Sequence, residues 1–232
     1  MATQQEVRTN PSIFNSRRYA LIKLRKLIES IINLYISKSE YKKLLDYGCG
    51  SMPYKKLFSP HLEEYIGADI SDKNDEKVVS LTQDGLIPVE SGTIDIVLST
   101  QVLEHVSNPN FYLAEARRVL QAEGILIIST HGHWMYHPDP TDFWRWTSQG
   151  LKKILIDNGF EVLFFKGILG RSAAGLQLFQ DGFIFKLPPV IKQIFVFIMQ
   201  ICIFIFDAMT KQQTRDKDAS IYIVVAKQKK NN

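Results

Sequence analysis

The sequence predicts an α/β domain in which a mostly parallel sheet is covered by helices on both faces. Short apolar or β-branched runs at Lys43–Tyr47, Glu64–Ala68, Thr93–Ser99, Gly124–Thr130 and Glu161–Lys166 alternate with stretches of helical spacing. Strands separated by helices form βαβ units, whose crossovers cover both faces of a parallel sheet. A ligand of such a sheet lies beyond the carboxyl ends of the strands. The polar clusters of this chain fall at those ends.

In chain order, Arg17 to Ile36 places Leu21, Leu24, Ile28, Ile31 or Ile32, and Tyr35 on one face of an amphipathic helix. Its other face carries Lys23, Arg25 and Lys26, so packing on the sheet and contact with a membrane surface both suit it. Further helices are expected near Tyr54–Phe58, Val102–His105, Asn110–Leu120 and Ser148–Asn158. The stretch "ASIYIVVAKQKK" reads as a last strand. Between it and the strand at Glu161 lies a long stretch rich in Phe and Ile, which is not loop composition. The chain therefore divides into an N-terminal helical segment (1–36), a main domain (37–168 with 219–232) and an apolar helical insertion (169–218).

At 232 residues, 45% hydrophobic and 22% charged, the chain suits one domain with an appendage. A net charge of +4 with dispersed basic residues argues against a nucleic-acid partner, and leaves weak attraction to anionic lipid. Cys49 and Cys202 sit in unrelated contexts, which suggests neither a disulfide framework nor a CxxC metal site. The polar opening "MATQQEVRTNPSIFNSRRYALIK" lacks the apolar core of a secretory signal. A cytoplasmic location is expected, peripheral at the inner face of the membrane if the apolar insertion meets lipid.

The stretch "LLDYGCGSMPY" follows a strand with Gly48 and Gly50, which allow a tight turn and close approach of a ligand. Pro53 stands where a dinucleotide fingerprint would have its third glycine, which with Asp46 ahead of the turn disfavours NAD. In "YIGADIS", Asp69 ends the next strand 19 residues after Gly50, where a carboxylate can accept both hydroxyls of a ribose. Asp84, before Gly85, is suited equally to an adenine amino group and to capping a turn.

Together, "LLDYGCG", "YIGADIS", "LTQDGLIPVESGTIDIVLSTQVLEHV" and "EARRVLQAEGILIIST" resemble, in order and spacing, the class I S-adenosylmethionine-dependent methyltransferases of the type 11 branch. The resemblance covers about Lys43 to Lys166. It implies a Rossmann-like, seven-stranded sheet and S-adenosylmethionine as cofactor. Asp46, Gly48, Cys49 and Gly50 would surround the methionine part, Asp69 and Ile70 the ribose, and Asp84 and Gly85 the adenine. The loop from Ser99 to Gln101 would close over the cofactor. Ser51 to Tyr54 departs from the family, many of whose members have another glycine there.

Methyl transfer to a hydroxyl needs alignment and a group that takes the proton, and histidine suits the second task. "STHGHWMYHPDPTDFWRWTSQGL" follows the fifth strand and holds His131, His133 and His137 with Asp142, Arg145 and five aromatic residues, Trp134 and Tyr136 among them. Such density reads as an acceptor pocket, with apolar faces for stacking and polar groups for orientation. Its plainer reading is aromatic cover for the core, with Asp142 and Arg145 as a structural ion pair. His137 is the first candidate base and His105 the second. The spacing of His131, His133 and His137 also invites a zinc reading, but no HExxH helix or cysteine cluster supports it, and no metal is expected. "HPDPTDFWRWTSQGL" further resembles a segment of methyltransferases found among bacterial surface-glycan biosynthesis enzymes. That resemblance implies a small saccharide or lipid-linked glycan acceptor; a quinone or isoprenoid lipid, and a non-catalytic cofactor-binding role, are the alternatives.

The uncharged run Gln193 to Phe206 reaches only about 21 Å as a helix, short of the ~30 Å hydrocarbon core. Flanking strands of one sheet also oppose a single crossing. Three readings remain for 183–206: a helix in the membrane interface, a seal over a pocket or homodimer seam, and a core helix of a lid.

Overall fold

The computed structural model describes residues 4–70, 78–82 and 85–229. Strands β1 (Lys43–Tyr47), β2 (Glu64–Asp69), β3 (Val78–Ser80), β4 (Ile94–Thr100), β5 (Leu120–His131), β6 (Phe160–Gly170) and β7 (Ala219–Gln228) form one sheet in the order β3-β2-β1-β4-β5-β7-β6. The first five pair in parallel, whereas β7 runs antiparallel between β5 and β6. This is the expected seven-stranded, mostly parallel Rossmann-like arrangement. The short edge strand β3 had no counterpart in the sequence reading, because three residues carry too little pattern.

The strands alternate between two cores. Ile96, Leu98, Ile125, Ile127, Ile221, Ile223 and Val225 face one, while Val97, Leu126, Ile128, Val224 and Ala226 face the other. The first face is covered by α2 (Arg18–Ile31), whose Ala20, Leu24, Ile28 and Ile31 are buried. A short helix α1 (Gln4–Thr9) precedes α2, and a π turn (Ile32–Ile36) follows it. After the short α3 (Lys55–Phe58), the second face is covered by α4 (Pro109–Val119) and α5 (Ser148–Asp157) through Leu113, Ala116, Leu151 and Leu155. Asn108 and Thr147 cap α4 and α5 through the backbone N–H groups of Phe111 and Gly150.

Between β6 and β7 come α6 (Arg171–Phe183), α7 (Pro189–Ala208) and the short α8 (Gln212–Arg215). At 20 residues α7 is about 30 Å long, not 21 Å, and by length and composition could cross a membrane. Only 22% of its most apolar window is buried, so it is not the core helix of a lid. Its two ends return to β6 and β7, neighbours in one sheet. Its inner side buries Val196, Met199 and Ile203 together with Gln200 and Asp207, and its outer side is apolar. Gln200, which faces inward, donates to Ser16 O (3.0 Å) and Gln180 Oε1 (3.1 Å) and accepts from Tyr19 N (2.9 Å). The equally buried Asp207 accepts from Tyr19 Oη (2.8 Å) and Gly170 N (2.9 Å). Ile191, Ile194, Ile198, Ile201 and Ile205 are exposed on the outside, joined by Phe179 and Phe183 of α6.

Candidate active site

The turn after β1 is held by the end of β2. Gly48 N and Cys49 N both donate to Ala68 O (2.8 and 3.0 Å), and Gly50 N donates to Asp69 Oδ2 (2.8 Å). Gly48 has φ +76°, and a Cβ there would lie 2.7 Å from both methyls of Val102, so glycine is required twice over. At Gly50, by contrast, a Cβ would meet nothing within 4 Å. That face of the turn is open to a ligand.

Asp46 is buried beneath the turn. Its Oδ2 accepts from Tyr65 Oη (2.6 Å), while its buried Oδ1 has no partner. Burial pushes the Asp46 carboxyl up to about 7, against the pull of the Tyr65 hydrogen bond. On the neighbouring strand, Gln101 has φ +57°, donates Nε2 to Ser129 Oγ (3.0 Å) and leaves a buried Oε1 unpartnered. Two orphaned acceptors at adjacent strand ends suit a ligand that carries an ammonium group.

Several expected cofactor residues have other tasks. Ser99 is fully buried within β4 and bonded to Tyr112 Oη (2.8 Å), so it supports the strand end and does not belong to a closing loop. The Cys49 thiol points into the core, 2.9 Å from where a Gly67 Cβ would be, which leaves its backbone as the part that can face a ligand. Asp69 sits where expected, but one oxygen holds the turn; Ile70 beside it is exposed. Gly85 has φ +84° and its carbonyl accepts from Tyr47 Oη (2.5 Å). Asp84 lies outside the described residues.

Beyond β4 and β5, the histidines divide. His131 and His137 meet edge to face at 4.8 Å between ring centres, and His105 meets His137 at 4.9 Å. Trp134 stacks on His131 at 4.6 Å, and the Arg17 guanidinium lies over the Trp134 ring. Glu104, in the 3-10 turn after β4, lies fully buried beneath these rings. Its Oε2 accepts from Thr130 Oγ1 (2.7 Å), and its Oε1 lies 2.9 Å from His131 Nδ1. In sequence Glu104 carries no signal of a site beyond its adjacency to His105. Burial pushes its carboxyl up, but His131 and hydrogen bonds more than offset this, leaving it below the ordinary range. Burial lowers His131 and His137 against the pull of Glu104 and Asp142 respectively. At neutral pH the cluster is one carboxylate facing two neutral imidazoles.

Other expected pocket residues are occupied elsewhere. His133 turns away to pair with Asp218, which also holds Arg171. Arg145 grips Asp142 with both terminal nitrogens (2.6 and 2.5 Å) and donates to the carbonyls of Trp134 (3.0 Å) and Met135 (2.5 Å). Asp142 also accepts from His137 N (2.8 Å). This pair braces the loop, as the plainer reading held. Tyr136 is 69% exposed.

Residues 45–128 match the methyltransferase domain family. A ubiquinone biosynthesis O-methyltransferase of Pelagibacter ubique (strain HTCC1062) is 26% identical over 125 residues, 47% of this chain and 52% of that protein. The chain spans about half the length of the curated relatives it matches. Among solved structures, the cyclase SpnF superposes with a TM-score of 0.57 at 18% identity, covering 90% of this chain and 82% of the other. A SAM-dependent methyltransferase from Archaeoglobus fulgidus gives 0.54 at 15% identity, with 92% and 97% covered. These structural likenesses carry the fold, and the sequence match carries the domain type. Residues 45–128 thus match a methyltransferase domain, set in a sheet with the fold of class I methyltransferases.

Proposed function

We propose that this protein transfers the methyl group of S-adenosylmethionine to a hydroxyl on the headgroup of an isoprenoid-borne acceptor at a membrane surface. The observation that carries the methyl-transfer reading is the imidazole cluster on Glu104, set at the same sheet edge as the glycine turn. The cofactor supplies the methyl as a sulfonium, an electrophile that needs no metal or acid to activate it. Asp46 and Gln101 would hold the methionine ammonium. His137, the half-buried member of the cluster, would take the acceptor's hydroxyl proton while Asp142 Oδ2, 3.3 Å from Nδ1, steadies the ring.

The lipid-borne acceptor is supported by α7. A helix that buries Val196, Met199, Gln200, Ile203 and Asp207 and still exposes a row of isoleucines presents an apolar face that water disfavours and that matches an interface with lipid. Lys186 and Lys192 at its start, with Lys211 just past its end, suit anionic headgroups. The resemblance of "HPDPTDFWRWTSQGL" favours a saccharide headgroup. A second reading, a quinone, is favoured by the printed activity of the Pelagibacter relative.

Methyl-labelled cofactor, incubated with the protein and fractionated bacterial membrane lipids, tests both. Label in lipid-linked saccharide supports the first reading and label in quinone the second. Tight cofactor binding with no label in any fraction would establish the non-catalytic alternative. Floatation with anionic liposomes tests the surface role. Retention unchanged in an I194S/I198S/I201S variant would remove it.

A further inference from the structure

We infer that Glu104, His131 and His137 form a binding site for a divalent first-row transition cation. One donor atom from each of the three lies within 4.8 Å of the others. Glu104 Oε1, His131 Nδ1 and His137 Nδ1 are all buried without a well-aligned hydrogen bond; the first two lie 2.9 Å apart, and Asp142 Oδ2 lies 3.3 Å from the third. A buried carboxylate oxygen and two imidazole nitrogens gathered with such poor hydrogen bonding suit a cation that all three could bind.

The Glu104–His131 geometry is specific about what that is. The two atoms are 2.9 Å apart, close enough for a hydrogen bond, yet not aligned as one. Two donors facing a common third point look like this. Ligands about 2.1 Å from a cation and near 90° apart lie about 3 Å from each other, whereas tetrahedral angles would spread them to ~3.4 Å. The observed spacing fits a five- or six-coordinate cation. Two imidazoles and a carboxylate on one side of an ion, with its other positions open, are the donor set of borderline metals such as Zn(II), Mn(II) and Fe(II) and are ill suited to Mg(II) or Ca(II).

The surroundings have the second shell such a site needs. Glu104 Oε2 is fixed by Thr130 Oγ1, the Trp134 ring stacks on His131, and the His137 backbone N–H is held by Asp142 Oδ2. Closing on an ion requires mainly a turn of the His137 ring, the least buried of the three. This also replaces the histidine triplet suggested by sequence spacing. His133 is committed to Asp218, and a glutamate from the neighbouring strand end takes its place.

The site rests on the methyltransferase reading only for its purpose: an open coordination position beside the cofactor would bind the acceptor oxygen and lower its pKa, with His137 holding the ion in place of the base role proposed above and His105, 4.9 Å away between ring centres, taking the proton. Binding itself is measured apart from turnover. Tag-free full-length protein, stripped with chelator, is dialysed against Zn(II), Mn(II) or Mg(II), and bound metal is counted per chain. Cofactor affinity and thermal unfolding are measured alongside. The expected result is one equivalent of Zn(II) or Mn(II) in preference to Mg(II), weakened at least tenfold in H137Q and in E104Q and unchanged in H133Q. H137Q, at the half-exposed position, keeps the test decisive should E104Q fail to fold. No saturable binding by folded protein, or equal loss in H133Q, would overturn the site and leave a Glu–His pair only. Failure of methyl transfer with metal bound would refute the functional reading and not the site.

Discussion

The proposed pairing of the buried Asp46 carboxylate with the cofactor's ammonium predicts pH-dependent cofactor binding, in a direction opposite to the effect of Asp46 on stability. The folded-state value of about 7 lies above the ordinary carboxylate range because burial disfavours the charge. If the cofactor's ammonium pairs with the ionised form, binding competes with a proton. The ionised fraction is then about 90% at pH 8 and about 10% at pH 6, so the dissociation constant weakens about tenfold, or ~1.4 kcal/mol, over that interval. Titration calorimetry with S-adenosylhomocysteine, which keeps the ammonium and is neutral at sulfur, reads this directly. Asp46→Asn should bind at least tenfold more weakly at pH 8 and show no such dependence. For stability the sign reverses. A raised folded pKa means the folded chain holds its proton more firmly, so this group costs stability as pH rises through 7, with a ceiling of about 4 kcal/mol. Asn keeps an acceptor for the Tyr65 hydroxyl, so Asp46→Asn should melt no lower than the parent at pH 8. Equal affinity at pH 6 and pH 8, or parental binding by the variant, would refute the pairing.

Gly48→Ala would place a methyl 2.7 Å from the Val102 methyls at φ +76°, costing about 1–3 kcal/mol and weakening cofactor affinity. Val102→Ala should restore part of that loss, since it removes the clash and leaves the backbone strain. Arg145→Lys replaces a fork that reaches a carboxylate and three carbonyls by a single ammonium. The loop 132–147 should become readily cleaved by protease, with a small change in melting temperature because the two cores lie elsewhere. Gln200→Leu should destabilise by about 1–3 kcal/mol, leaving the Tyr19 N–H without its partner while Ser16 O keeps Gln177 and Gln180. Ile198→Ser on the outer face should leave melting unchanged and weaken liposome retention; the reverse pattern would mean that the isoleucine row does not face outward.

Local pattern reached the sheet and the turn but not the allocation of polar groups. Runs such as Ile94–Thr100 announce buried strands, and a strand end followed by Gly48 and Gly50 announces a ligand turn, because both depend on neighbours a few residues away. Ser99 and His133 misled for the same reason. One faces Tyr112 from a helix packed on the sheet and the other faces Asp218, 85 positions downstream. A hydroxyl or an imidazole reads alike in sequence whether its partner is a ligand or another part of the chain.

The sequence by itself determined the α/β sheet, the glycine turn with Asp46 before it, and the presence of an apolar helix before the last strand. Each follows from periodicity or from backbone demands that a single stretch can meet. Only the tertiary structure decided which histidines meet, that Glu104 lies beneath them, and which side of α7 faces out. Those outcomes depend on strands β4 and β5 lying side by side and on α2 presenting Tyr19 and Ser16 to α7. Such juxtapositions are set by packing across the whole sheet, and no local spacing encodes them.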